Sequence, residues 1–176
     1  MINIRDFING SEYELELVIK RFTVPLMKYC YSILCNYSDA EDAVQMTFIK
    51  IYDRRKTLKK DEAFSSFLYR TAYTTCIDII RKRKFLMIPF KEEQEDRLNY
   101  MSEELENALK KLSLLDRALI YGRVIEEYSY EQLSIIHGKS EASLRKRYQR
   151  AKEKLAKNLE NDEYNYYIYS NKEESI

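Results

Sequence analysis

Glycine and proline are scarce, at three and two in 176 residues. Sheet proteins turn back every ~8–12 residues and use these two residue types to do so, which disfavours an all-β fold. Histidine occurs once, so no convergent imidazole set exists for metal binding or acid–base chemistry. The cysteines are Cys30, Cys35 and Cys76, odd in number and without a CxxC pair. That argues against a disulfide framework and a zinc site, and leaves reduced thiols packed in a core. No apolar run approaches the ~18–20 residues needed to span a bilayer. The N-terminal stretch MINIRDFING has no basic start followed by an apolar stretch, so no signal peptide is expected and the cytoplasm is the expected compartment. There is no P-loop, no Ser–His–Asp order and no metal-ligand spacing, so the reading is no enzyme, no metal and no cofactor.

What is present is helical. Leu, Lys, Glu, Ile and Ala recur at helical spacing, and the apolar fraction of 45% suffices for a core. The expected fold class is all-α. The net charge of +1, from 30 basic and 29 acidic residues, is uninformative, but its distribution is not. Arg145 to Lys157 holds seven Lys or Arg and one Glu, and residues 81–84 read RKRK. Lys91 to Glu106 holds seven acids and two bases. Separated blocks of opposite sign imply separate surfaces with separate partners.

Residues 11–36 suit a helix or helix pair facing a core, with Pro25 the point of kink or division. Ser38 to Glu41 (SDAE) fits a capping box opening a helix that runs to about Arg55. Residues 56–61 form a basic loop, and a long helix covers about 62–84. Residues 85–101, apolar then acidic, read as a linker between two small helical domains, 1–84 and 102–158. Helices are expected over about 102–112 and 114–127. Residues 159–176 form an acidic tail with Tyr164, Tyr166, Tyr167 and Tyr169, taken as a disordered end.

Ser129 to Leu155 carries the clearest pattern, a short helix, a glycine turn and a longer basic helix. This is a helix-turn-helix, whose second helix enters the DNA major groove. Ser129 with Gln132 makes a capping box, Gly138 supplies positive φ, and Ser140 caps the last helix, which is expected to end near Asn158. On a helical wheel Leu144, Tyr148, Ala151 and Leu155 share the packing face. The opposite face presents Ser143, Arg145, Lys146, Gln149 and Arg150. Arg and Lys bond guanine O6 and N7, Gln pairs with adenine, and Ser serves phosphates. His137 is read as a turn residue.

The helix from Asp39 has a core stripe of Ala40, Val44, Thr47, Phe48 and Ile51. Beside it lie Asp42, Gln45, Ile49 and Tyr52, a mixture that suits a protein partner or a plain solvated flank. The next helix joins Phe64, Phe67, Tyr69 and Tyr73 to Arg70, Arg81, Lys82, Arg83 and Lys84. Aromatics of this kind stack on unpaired bases while cations hold phosphates, although some must be core.

These blocks, in this order, resemble the extracytoplasmic-function type of bacterial sigma factors. Asp39 to Gln45 (DAEDAVQ) with Phe48 resembles region 2.2 of that family. Phe64 to Arg70 (FSSFLYR), then Ala72, Asp78 and Arg81, resembles regions 2.3 and 2.4. Leu109 to Leu112, Arg117, Ser129 to Leu133 (SYEQL) and Arg145 to Leu155 resemble region 4. The resemblance implies that the first domain docks on the clamp helices of core RNA polymerase through Asp42 and Gln45, with Phe48 and Tyr52 near the same surface. It implies −10 element contacts from Lys56, Lys59, Lys60, Arg70, Tyr73, Arg81 and Arg83. The last helix would read the −35 element, and an anti-sigma factor is an expected partner besides polymerase and promoter DNA. The chain departs from the family pattern at Phe67 (usually Trp), Thr74 (usually Asn), Ser113 (usually Pro), Met46 (often Glu) and Ser143-Leu144 (usually Thr-Val). A stand-alone dimeric helix-turn-helix regulator is the alternative, but it has no use for the Asp42 and Gln45 stripe.

Overall fold

The computed structural model describes residues 3–58, 64–86 and 100–173, with side chains described as far as Glu160. Lys59, Lys60 and the acidic part of the expected linker lie outside the described residues. Every regular element among the described residues is helical: α1 (Ile4–Ile8), α2 (Glu12–Leu34), α3 (Tyr37–Asp53), a 3-10 turn (Arg55–Thr57), α4 (Phe64–Leu86), α5 (Glu103–Lys110), α6 (Leu114–Val124), α7 (Tyr130–His137) and α8 (Glu141–Glu173).

Local chemistry sets most boundaries. Ser11, Ser102, Ser113 and Ser129 each accept a backbone N–H at the start of α2, α5, α6 and α7. Such caps contribute about 1 kcal/mol each. The expected capping box at Ser129 and Gln132 is complete in both directions. Gly138 ends α7 with φ +63°, as expected for a tight turn. Ser140 Oγ accepts from Ser143 N at 3.4 Å and caps α8.

Of the two readings for this stretch, residues 12–34 form the single helix, with Pro25 inside it. Two expectations are corrected, and one helix is new. α3 opens at Asn36, whose side chain accepts from Asp39 N at 2.9 Å, so Ser38 lies within the helix and is not its cap. Cys35, in left-handed conformation at φ 49°, ends α2 immediately before that cap and fixes a two-residue turn. α1 was not expected; it is held by Asn3, whose side chain caps it and whose N–H reaches Glu14 Oε2 at 2.8 Å. α8 continues through Glu173, well past Asn158, into the segment read as a disordered tail.

The helices form two groups, α1–α4 and α5–α8, that press together over one continuous apolar core. Tyr29, Leu68, Tyr69 and Cys76 from the first group belong to the same buried cluster as Leu119, Tyr121, Leu133 and Leu144 from the second. Three aromatic contacts cross the junction, built on a Tyr29–Tyr69 pair inside the first group. Tyr29 meets Tyr69 at 4.9 Å and Tyr121 at 5.5 Å, Tyr69 meets Tyr128 at 5.5 Å, and Tyr73 meets His137 at 4.6 Å, all edge-to-face. Edge-to-face pairing brings the positive ring edge to the negative face. Tyr69 Oη donates to Glu126 Oε1 at 2.7 Å and Tyr31 Oη donates to Glu106. The Arg117 guanidinium donates to Ile33 O at 2.6 Å, at the end of α2, and to Leu109 O and Lys110 O at the end of α5. All three cysteines are free and buried, as expected.

Candidate nucleic-acid interface

α8 is amphipathic as the wheel requires. Leu144 and Ala151 are buried against α6 and α7, and Tyr148 is half-buried. Ser143, Arg145, Lys146, Gln149 and Arg150 are all exposed on the outer side. Arg145, Lys146, Gln149 and Arg150 line one shallow open depression. The glycine turn sets α8 across α7, so that the first turns of α8 project this polar face away from the core.

The cations in this run are not equivalent. Arg147 Nε donates to Asp116 Oδ1 at 2.6 Å and its terminal nitrogen donates to Ser113 Oγ at 2.8 Å. That pair ties α8 to the start of α6. Arg145 instead places its guanidinium carbon 4.4 Å from the centre of the Tyr130 ring, which also carries Arg123 at 4.9 Å. Composition alone separates none of these roles.

The residues expected near the −10 element sit along α4 and the turn before it. Arg81 is exposed on the last turns of α4, and Lys56 is exposed in the 3-10 turn. Arg70 is half-buried. Arg83 is engaged by Asp39, with its Nε 2.8 Å from Oδ1, and so braces α4 against the start of α3. Tyr73 is half-buried with its ring against His137. Burial raises the Tyr73 hydroxyl above its usual range, so it stays a neutral donor. The four-residue aromatic set divides: Phe67 and Tyr69 are buried, while Phe64 and Tyr73 are half-buried.

On α3 four residues of the expected core stripe, Ala40, Val44, Thr47 and Ile51, are buried, and the fifth, Phe48, is only half-buried. Asp42 and Gln45 are exposed, and the same flank exposes Met46 at 43% and Ile49 at 53%. Exposed apolar side chains beside an acid and an amide make a face able to take an apolar partner surface. Phe48 and Tyr52 are half-buried, and Tyr52 Oη donates to Gly10 O at 3.1 Å. Arg55 stacks over the Tyr52 ring at 4.2 Å.

An outward basic helix thus lies on one helical group and an amide-and-apolar face on the other. Residues 18–85 match sigma-70 region 2 and residues 102–155 match sigma-70 region 4. The chain is similar to RNA polymerase sigma factor SigV of Bacillus subtilis (strain 168), at 27% identity over 131 residues, 70% of this chain and 78% of that one. It is also similar to ECF RNA polymerase sigma factor SigW of the same organism, at 31% over 81 residues, 46% and 43% of the two chains. Its fold is similar to the sigma factor RpoE solved with the anti-sigma factor NepR from Bartonella quintana (TM-score 0.72, 20% identity, 82% of this chain and 96% of that one). The chain belongs to the sigma-70 family, in its extracytoplasmic-function branch: a non-enzymatic, promoter-recognising subunit of bacterial RNA polymerase. No helix among the described residues is long and apolar enough to cross a membrane.

Sequence reasoning missed Arg117, Arg123, Tyr130 and Glu126 as organising residues. Arg117 lies within the region 4 resemblance, but its partners are carbonyls that no side-chain pattern reveals.

Proposed function

We propose that residues 1–84 dock on the clamp of core RNA polymerase through Asp42, Gln45, Phe48 and Tyr52 and engage the −10 element. Within that module Lys56, Lys59, Lys60, Arg70, Tyr73 and Arg81 contact the melted or backbone-held strand, while Arg83, paired with Asp39, braces the helix that carries them. Residues 102–158 read the −35 element through Ser143, Arg145, Lys146, Gln149 and Arg150. Residues 85–101 link the two modules, and 159–176 form a tyrosine-rich acidic tail. The chain works in the cytoplasm and is held in check by an anti-sigma factor, as RpoE is paired with NepR.

The observation that carries this reading is the outward array on α8, five polar residues exposed opposite the buried Leu144 and Ala151. A helix offering Arg and Gln at adjacent turns matches the donor and acceptor pattern of the major groove.

The test mixes the full chain, wild type or with Asp42→Ala and Gln45→Ala together, with bacterial core RNA polymerase. The wild type co-elutes with core enzyme, and the double variant does not while it still binds promoter duplex. Simultaneous loss of both activities marks the two residues as structural. Palindromic duplex binding by the wild type without polymerase association overturns the reading in favour of a stand-alone regulator.

A further inference from the structure

Arg145 differs from its neighbours in what restrains it. Arg147 is fixed by a carboxylate and a hydroxyl. For Arg145, no hydrogen bond or ion pair occurs among the described residues, and the Tyr130 ring 4.4 Å away is its partner. A long, exposed side chain without such a partner samples many rotamers and loses that freedom on binding.

Tyr130 is itself well placed. It is the first residue of α7, enclosed by the Ser129–Gln132 capping box, which fixes its backbone. The ring is half-buried, packs against the core, and meets Tyr148 edge-on at 6.4 Å. Arg123 reaches the same ring and is anchored by donating to Tyr128 O. The ring is therefore a fixed platform set by α6, α7 and α8 together.

Stacking engages the flat face of a guanidinium and leaves its N–H edge unused. Bidentate recognition of guanine uses that edge. The two interactions are geometrically compatible, whereas a carboxylate partner would compete with the base for the same N–H groups.

We propose that Tyr130 is a positioning residue for base recognition: its ring pre-sets the Arg145 guanidinium so that discrimination at the base pair read by Arg145 depends on Tyr130. This rests on the reading that α8 contacts bases through Arg145. A cation over an exposed aromatic face corresponds to about two- to fivefold in binding, which sets the size of the effect.

The experiment uses the full chain assembled with bacterial core RNA polymerase and a duplex library randomised over the upstream promoter element, with bound sequences counted. Arg145→Ala first locates the base pair concerned. Tyr130→Leu, which keeps apolar volume but has no ring, is expected to lower discrimination at that same pair by about two- to fivefold. Tyr130→Phe keeps wild-type discrimination. Fluorinated phenylalanines at position 130 keep the ring shape, carry no ionisable hydroxyl and weaken the ring's negative face, and give a graded loss; they serve should Tyr130→Leu fail to fold. Wild-type discrimination in the Leu variant or the fluorinated series overturns the proposal. So does a loss spread evenly over all sequences, or a Phe variant as defective as the Leu variant, which assigns the role to the hydroxyl. A flat Arg145→Ala profile removes the base-reading assignment and the proposal with it. A position-specific Arg145→Ala profile with a silent ring removes the proposal alone.

Discussion

Replacing Arg117 with methionine keeps a long apolar stem and deletes a guanidinium that is only 9% exposed. That group donates to Leu109 O at 2.7 Å, Ile33 O at 2.6 Å and Lys110 O at 2.9 Å. All three acceptors lie in the last turns of α2 and α5, where helix carbonyls lack an i+4 donor; of the three, Leu109 O also accepts from Leu112 N at 2.8 Å. The same ends carry the negative pole of the helix dipole, which compensates a cation without a carboxylate. Burial lowers the Arg117 pKa from its usual value, and an arginine still stays protonated after such a shift.

A buried carbonyl stripped of its donor costs ~1–3 kcal/mol. Two such carbonyls, Ile33 O and Lys110 O, would exceed that, but methionine also avoids the penalty of burying a charge. The balance is a loss of about 2–4 kcal/mol. For a chain of this size each kcal/mol shifts Tm by about 2–4 °C, so a fall of about 5–15 °C is expected. Thermal melting followed by circular dichroism at 222 nm (the usual helix wavelength) reads it directly. Arg117→Lys keeps the charge but lacks the planar fork, and should melt between the two. If Arg117→Met melts within about 2 °C of wild type, the buried donors do not hold the two helical groups together and the reasoning is refuted.

Two further outcomes follow from the junction. His137 is half-buried, with its ring nitrogens enclosed against Tyr73 and near Lys139; desolvation first, then that cation, brings its pKa from 6.5 down to about 4. The folded chain therefore binds fewer protons than the unfolded one between these values, and stability present above pH 6.5 is lost as pH falls toward 4. The loss amounts to at most about 3 kcal/mol, and His137→Phe should remove that component from urea titrations run across the window. An identical pH profile in the variant would exclude His137 as its source. Tyr29 is buried, and its hydroxyl has no hydrogen-bond partner among the described residues. Tyr29→Phe should therefore be neutral or stabilising by up to about 1 kcal/mol in the same denaturation assay, and a clear destabilisation would reveal a partner for the hydroxyl.

Features written in neighbouring residues were legible in the sequence. The Ser129–Gln132 box, the Gly138 turn and the two faces of α8 each depend on residues within a turn or two, and local propensity agrees there with the final packing. The buried stripe of α3 was readable for the same reason, since Ala40, Val44, Thr47 and Ile51 keep helical period. The start of α3 was misread because two capping residues compete within three positions. Asn36 follows the left-handed Cys35, so it alone has the extended backbone a cap requires.

The junction between the helical groups was not legible, because its contacts join residues 57 and 84 positions apart. Nothing in the local pattern distinguishes Tyr69, which closes that junction by donating to Glu126, from Tyr73 one turn later. The basic runs pose the same difficulty in sharper form. Arg83 and Arg147 lie in stretches that read as phosphate-seeking cations, yet both are spoken for by carboxylates from other helices. Arg81, Lys146 and Arg150 sit in the same stretches and remain exposed. A guanidinium answers a carboxylate and a phosphate through the same planar fork, so the residue type cannot say which it meets. The partner is fixed only when Asp39 and Asp116, 44 and 31 residues away, are folded into reach. Charge along the chain therefore locates a nucleic-acid surface to within a helix face, and tertiary pairing then decides which cations on that face are left to use.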